Sequence, residues 1–153
     1  MPLEHPVRVA RWIHKRYQFS GPPVSFAPAL ADYPIKVDLR DWSPDVSGIC
    51  VRAPLISSIG LNQNDSLGRR HFTLWHEFYH YLVHNDEWQF YCVRPWERQR
   101  RERECNIFAA HVLMPQEWVV ELEGPLWVAA RKLGVSVQAL SVRLDEIGIR
   151  RME

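Results

Sequence analysis

Residues 71–84 read HFTLWHEFYHYLVH, and this stretch contains four of the chain's seven histidines. It holds no Gly or Pro, and its aromatic and aliphatic residues leave almost no polar face. A helix that is apolar nearly all round belongs in the centre of a domain, packed on several sides. The sequence therefore predicts a central helix over residues 71–84 that carries several imidazoles into the core.

Within that helix, residues 76–80 match the pattern His-Glu-x-x-His. Residues four apart lie on the same face of a helix, so His76 and His80 can offer two ring nitrogens to one metal ion. In zinc hydrolases with this pattern, the carboxylate beside the first histidine accepts a proton from a water molecule whose acidity the ion has raised. The plainer interpretation is a buried helix whose histidines bond to neighbours, but burying these groups without a metal or partners costs several kcal/mol. The spacing therefore predicts a zinc site with Glu77 as general base.

A catalytic zinc ion usually takes a third protein ligand, and the candidates here are His84, Glu102, Glu104 and His111. His84 lies about 12 Å along the helix axis from His76, too far to share an ion with it, so it is expected to support the site. Glu104 is favoured because it lies where the charged half of a second predicted helix gives way to an apolar half. Glu102, two residues earlier, is expected to point to the opposite side.

The elements around the central helix predict an α+β fold, with a small antiparallel sheet of about three strands packed on the helix. Apolar and charged residues alternate over residues 35–40, and short apolar runs follow at residues 49–51 and 58–61. Short connections between strands favour antiparallel pairing. The sheet edge at residues 57–62 is predicted to hold an extended peptide by backbone pairing.

Further helices surround this centre. Residues 1–20 fit an N-terminal packing helix, and a long helix is predicted from Pro95 to residue 113 or 114, where Pro115 stops it. Residues 125–150 fit a helical tail with a break at Gly134 and a cap at Ser136. The 153 residues match the common size of one domain, so residues 1–153 are interpreted as a single domain.

Composition restricts the partners and the location. No apolar run approaches the roughly 20 residues of a membrane-spanning helix, and the first residues lack the apolar stretch of a secretory signal. No membrane partner and a cytoplasmic location are therefore expected. Three cysteines without a C-x-x-C pair argue against a disulfide framework and a cysteine zinc knuckle. A net charge of +1 gives no global field for nucleic acid, so direct nucleic-acid binding is not expected.

Two segments could suggest DNA binding. Residues 94–104, RPWERQRRERE, mix five arginines with three glutamates, which favours a solvated helix face over a nucleic-acid surface. The tail has the rhythm of a helix-turn-helix motif, with Gly134 at the turn. Few of its residues are basic, so a structural role behind the site is favoured.

Two linked motifs, HFTLWHEFYHYLVH and then ECNIFAAHVLMP, carry a family resemblance. They resemble the ImmA/IrrE family of metallopeptidases, whose pattern is close to RFTxxHExxHxxxH followed by EANxFAAxxLMP. The resemblance extends over about residues 28–150, with SIGLN before the helix and SVQALSVRLDEIGI in the tail. It implies that His76, His80 and Glu104 are the zinc ligands and that Glu77 is the general base. Cys105 departs from the pattern, since the family usually has Ala there.

The resemblance also implies an activity. It implies a zinc metalloendopeptidase whose protein substrate is a helix-turn-helix repressor of mobile-element or stress genes, in the single domain assigned above to residues 1–153. The rival interpretation is a non-hydrolytic metal-binding regulatory protein of a repressor or toxin–antitoxin system. An intact Glu77 favours the enzyme, because binding alone has no need of a general base. His111 and Tyr79 are candidates for stabilising an oxyanion.

Overall fold

The structure is a computed structural model and describes residues 4–84 and 95–150. These residues form an α+β fold, as the sequence predicts, with seven helices and one three-stranded sheet. The elements in chain order are α1 (Glu4–Tyr17), α2 (Ala27–Asp32), β1 (Ile35–Arg40), β2 (Gly48–Val51), β3 (Ser57–Asn62), α3 (Leu67–Val83), α4 (Pro95–Leu113), α5 (Gln116–Val119), α6 (Leu126–Leu133) and α7 (Val137–Ile147).

The sheet is mixed, with the strand order β1-β3-β2. β1 runs parallel to β3, with Ile35 opposite Ser57 and Arg40 opposite Asn62, and β2 runs antiparallel to β3. The prediction of a wholly antiparallel sheet is therefore wrong for one of its two pairings. The reason is the connection over residues 41–47, which passes the end of β3 before β2 begins on its far side.

Asn62, at the end of β3, holds this crossing connection. Its side chain is fully buried, and its Nδ2 donates to the backbone carbonyls of Trp42, Ser43 and Val46 at 3.3, 3.0 and 2.8 Å. The Trp42 ring lies over Gly60, where an added Cβ would come within 2.8 Å of Trp42 Cη2. These contacts join residues far apart in sequence and produce no local periodicity. The sequence pattern therefore could not predict that the connection crosses the end of β3.

The central helix α3 begins earlier than predicted, because Ser66 caps it by accepting a hydrogen bond from the backbone N–H of Arg69 at 3.2 Å. Its aromatic residues Trp75, Phe78 and Tyr79 are fully buried. Burial of each such side chain contributes about 1.5–3 kcal/mol, so these rings fix α3 in the core.

Helix α2 lies between the predicted N-terminal helix and β1, in a segment where the sequence pattern predicts no element. Phe26, just before it, packs edge-on against Trp75 and Phe78 with ring centroids 4.9 and 5.1 Å apart. Tertiary packing of this aromatic cluster explains a helix of six residues that propensity alone does not indicate.

Helix α4 covers the other side of α3 and begins and ends where the sequence predicts. Cys105, Phe108, Ala109 and Val112 form its buried stripe, at the spacing of one helix face. Packing of α1 on α4 is completed by His14, whose Nε2 lies 2.7 Å from the carbonyl of Val112. The buried stripe fixes the rotation of α4, and this rotation decides which of its polar residues face α3.

The helical tail matches its prediction. Gly134 ends α6 with a φ of 71°, which favours glycine, and Ser136 caps α7 by accepting from the backbone N–H of Ala139 at 3.1 Å. His71 of α3 ties this turn to the core, because its two ring nitrogens lie 2.8 Å from the Val24 carbonyl and 3.0 Å from the Gly134 carbonyl. None of the helices in residues 4–84 and 95–150 combines the length and apolarity needed to cross a bilayer.

Candidate metal centre

The two histidines of the His-Glu-x-x-His motif present their Nε2 atoms to one carboxylate. His76 Nε2 and His80 Nε2 each lie 2.9 Å from an oxygen of Glu102 on α4. The two rings are 5.3 Å apart between centroids and nearly perpendicular. Two imidazole nitrogens and one carboxylate, from two different helices, therefore converge on one point.

The structure brings Glu102 to the histidine pair and places Glu104 elsewhere. The expectation that Glu102 points away from the site is wrong. A separation of two residues rotates side chains by roughly 200° around a helix, so the two carboxylates lie on opposite flanks of the buried stripe of α4. Glu104 Oε2 lies 3.3 Å from His84 Nε2, and its side chain is only 12% exposed.

The charges at the site are coupled. Hydrogen bonds from His76 and His80 hold the pKa of the Glu102 carboxyl well below its usual range. Burial of the His76 ring lowers its pKa, but its hydrogen bond to Glu102 and the charge of Glu77 outweigh burial, so the pKa of His76 is raised. Glu102 is thus held as a carboxylate, and positive charge is favoured between it and the histidines.

Each motif histidine has a partner at its other ring nitrogen. His76 Nδ1 lies 2.7 Å from Asn106 Oδ1, which can only accept a hydrogen bond. His76 therefore donates through Nδ1, and its Nε2 keeps a free lone pair when the ring is neutral. An outer acceptor of this kind fixes the tautomer that binds metal.

His80 is oriented by a two-residue chain. Burial lowers the pKa of His84 to about 4, so this ring is neutral near pH 7 and carries one N–H. His84 donates this N–H from Nε2 to the Glu104 carboxylate. Its Nδ1 is therefore an acceptor. His80 Nδ1, 2.9 Å away, can then donate to it, an arrangement that directs the metal-binding lone pair of a neutral His80 ring to Nε2.

Glu77 lies between the helix and the sheet. It is 8% exposed, and burial raises the pKa of its carboxyl, against the opposing charges of His76 and His80. Strand β2 approaches closely here, because a Cβ added at Gly48 would lie 3.2 Å from Glu77 Cγ and 2.4 Å from Thr73 Cγ2. A carboxylate with a raised pKa beside two imidazoles is suited to proton transfer.

His76, His80 and Cys105 also form a group that could hold a metal ion, with ligand atoms all within 4.8 Å of one another. The Cys105 sulfur lies 3.8 Å from His84 Nδ1, the atom that faces His80 Nδ1. Burial raises the pKa of the Cys105 thiol, whereas a metal ligand must be a thiolate. Glu102, already ionised and facing both Nε2 atoms, is the better third donor.

The two oxyanion candidates are occupied elsewhere. The hydroxyl of Tyr79, whose side chain is fully buried, lies 3.0 Å from His5 Nδ1. His111 Nδ1 lies 2.9 Å from the carbonyl of Ile107 in its own helix. Neither hydrogen bond involves His76 or His80, so these contacts do not support either residue as an oxyanion donor.

The residues present fit a zinc ion. Zinc prefers nitrogen and carboxylate donors in sets of three at catalytic sites, and His76, His80 and Glu102 supply such a set. With the Nδ1 atoms paired to Asn106 and His84, both Nε2 atoms face the Glu102 carboxylate, so either protons or a cation can lie between them.

A His-Glu-x-x-His helix backed by a carboxylate from a second helix defines the class of metal-dependent hydrolases with this motif. Residues 35–145 match the family Peptidase_M78, described as the IrrE N-terminal-like domain, and the chain belongs to this family. The family is one of metallopeptidases, as the resemblance to ImmA/IrrE implies. In a comparison with curated proteins, none matches the chain.

The sequence pattern did not single out Asn106, and it predicted that Glu102 points away from the histidines. A signal for both was present, since Glu102 and Asn106 are four residues apart and share one flank of α4, as His76 and His80 share one face of α3. Which flank faces α3 depends on how the two helices dock, and this does not follow from either helix alone.

Proposed function

We propose that this protein is a zinc-dependent metalloendopeptidase in which His76, His80 and Glu102 hold the zinc ion. The observation that carries the proposal is the convergence of both Nε2 atoms on the Glu102 carboxylate, beside the buried carboxyl of Glu77. Glu104, the ligand implied by the family resemblance, acts in this proposal through His84 and His80.

Bound zinc would supply a Lewis acid that raises the acidity of water and polarises the scissile carbonyl. Glu77 takes a proton from the attacking water and passes it to the leaving amine. Its raised pKa suits this double role, because a general base works best when its pKa approaches the working pH. Asn106 and His84 keep the imidazoles of His76 and His80 in the required orientation.

The sheet supports a mode of substrate binding that differs from the one predicted. Residues 57–62 form the central strand β3, which is paired on both sides, so the prediction that a peptide pairs with them is wrong. In the described part of the chain no further strand pairs with β2, and Gly48 of β2 lies against Glu77. We propose that an extended substrate segment pairs with this free edge of β2.

We propose a helix-turn-helix transcriptional repressor as the substrate, and a single catalytic domain over residues 1–153. Support for this substrate is the resemblance of the two linked motifs to ImmA/IrrE, together with the family match. Cleavage would release the genes that the repressor controls.

The test compares Glu77→Gln with the unchanged chain. The exposed Glu121→Gln is the matched control. Zinc per chain is measured by atomic emission, and cleavage of a helix-turn-helix repressor encoded beside the gene is followed by mass spectrometry. Glu77→Gln should retain one zinc per chain and lose activity by roughly 100-fold or more, since general acid–base catalysis contributes 10²–10⁴.

Two results would count against the proposal. Cleavage that persists in Glu77→Gln would remove Glu77 from the mechanism. A chain that binds zinc and a repressor tightly, but leaves every tested protein intact, would favour the non-hydrolytic regulator instead.

A further inference from the structure

A cleft of about 750 Å³ lies between α3, α4 and α7. Its size is within the range of sites that bind ligands, roughly 300–1,000 Å³. Phe72, Ile107, Ala110 and Val142 supply apolar surface to its walls. Val142 is 54% exposed, so the cleft presents this surface to solvent.

The cleft continues from the proposed metal centre. Asn106, which accepts the hydrogen bond from His76, also lines the cleft. Phe72 is one helical turn before His76 on α3, and Arg103 directly follows Glu102 on α4. A polypeptide bound for cleavage at the metal centre can therefore extend into the adjoining cleft.

Charge in the cleft favours an acidic occupant, because three arginines and one glutamate line it. Arg143 is already used, since its Nε donates to the Met114 carbonyl at 2.9 Å and its guanidinium pairs with Glu146 at 3.5 Å. Arg69 is also used, by the Ser47 hydroxyl at 3.0 Å and by Asp65 at 3.6 Å.

Arg103 differs from the other two arginines. Its side chain is exposed, and within residues 4–84 and 95–150 no hydrogen bond or ion pair of its guanidinium is found. An open guanidinium at the rim of an apolar cleft is complementary to a carboxylate next to an apolar side chain.

We propose that this cleft is the specificity site of the peptidase. It receives a large apolar side chain of the substrate polypeptide close to the scissile bond, and Arg103 pairs with an acidic residue adjacent to that side chain. This inference rests on the proposed peptidase function and adds the sequence preference that the function requires.

The test measures binding separately from cleavage. The zinc-loaded full chain with Glu77→Gln is titrated against fluorescein-labelled ten-residue peptides, in which one central position is Phe, Leu, Ala or Lys and the next is Asp or Lys. Fluorescence anisotropy gives the dissociation constants. Peptides with Phe or Leu followed by Asp should bind at least about tenfold more tightly than those with Ala followed by Lys, because both the apolar burial and the ion pair are lost.

Two substitutions in the same background locate the preference. Arg103→Glu should reverse the preference at the charged position from Asp to Lys, whereas Arg131→Glu, an equal charge change at an exposed position of α6, should not. Val142→Trp should fill the cleft and remove the preference for Phe and Leu. Val120→Trp, at a position 53% exposed outside the cleft, should preserve it.

The outcomes separate this inference from the proposed function. Preferences that are unchanged in both Arg103→Glu and Val142→Trp, or no binding of any peptide, would overturn the cleft as the specificity site. If the preferences follow these two substitutions, the site stands even when the unchanged chain cleaves nothing, and only the proposed hydrolysis fails. If the unchanged chain cleaves peptides without the stated preference, the hydrolysis stands and the cleft inference fails.

Discussion

The buried stripe on α4 has one glutamate on each flank. The two glutamates contact the histidines of α3 from different sides. On one flank, Glu102 faces the Nε2 atoms of His76 and His80. On the other, Glu104 faces His84, which in turn contacts His80 through Nδ1. In the proposed site, one carboxylate would bind the metal directly, and the other would orient a ligand from behind.

Exposure separates the two carboxylates as clearly as their contacts do. The Glu102 side chain is 50% exposed, whereas that of Glu104 is 12% exposed. A catalytic metal must be reached by water and substrate, so a ligand at the protein surface is appropriate. An orienting hydrogen bond is stronger when it is shielded from water, which suits the enclosed Glu104. Two glutamates that are close in sequence therefore lie in different environments and contact different histidines.

The largest difference between the two glutamates is expected when each is replaced by its isostere. Glu102→Gln removes a charged donor from the metal centre and should lower zinc affinity by more than about 100-fold, beyond the 10–100-fold typical of outer partners. Glu104→Gln should lower zinc affinity only about tenfold. Competition with a zinc-binding dye measures both. A larger loss in Glu104→Gln than in Glu102→Gln would exchange the two assignments.

A smaller effect is expected from the partners at the Nδ1 atoms. Asn106→Ala and His84→Ala each remove one orienting hydrogen bond, so zinc affinity should fall about 10-fold in either variant. Asn106→Asp retains an acceptor at the same position and should restore affinity. The absorption spectrum of the cobalt-substituted protein should change in the alanine variants only. If Asn106→Ala and Asn106→Asp behave alike, the orienting role of Asn106 is excluded.

The smallest effect on zinc binding is expected at the sheet, which positions Glu77 and supplies no proposed ligand. Gly48→Ala places a methyl group 2.4 Å from Thr73 Cγ2, and such overpacking should lower the free energy of unfolding by about 1–3 kcal/mol. Urea denaturation measures this change.

Two controls accompany Gly48→Ala. Adding Thr73→Ser removes the opposing methyl group and should recover part of the stability. Gly21→Ala, where nothing lies within 4 Å of the added Cβ, should cost little. If Gly48→Ala and Gly21→Ala had the same stability, the close approach of β2 to α3 would be refuted.

Much of the fold follows from local patterns. Alternating polarity located β1, and the near-absence of polar residues located α3 at the centre of the domain. Helix α2 and the parallel pairing of β1 with β3 were not predictable in this way, because Phe26 and Asn62 act through partners distant in sequence. Contacts between residues distant in sequence do not change the local periodicity, so the periodicity cannot predict them.

The sequence alone predicts that His76, Glu77 and His80 lie on one helix, and their spacing of four residues places His76 and His80 on a common face. It also determined that a carboxylate-rich helix follows. The packing of the helices was needed to show that Glu102 faces the histidine pair and that Glu104 faces His84. The physical reason is that the docking of α4 on α3 is set by the burial of Cys105, Phe108, Ala109 and Val112. The burial of these four residues fixes the rotation of α4, and the rotation determines which way Glu102 and Glu104 point.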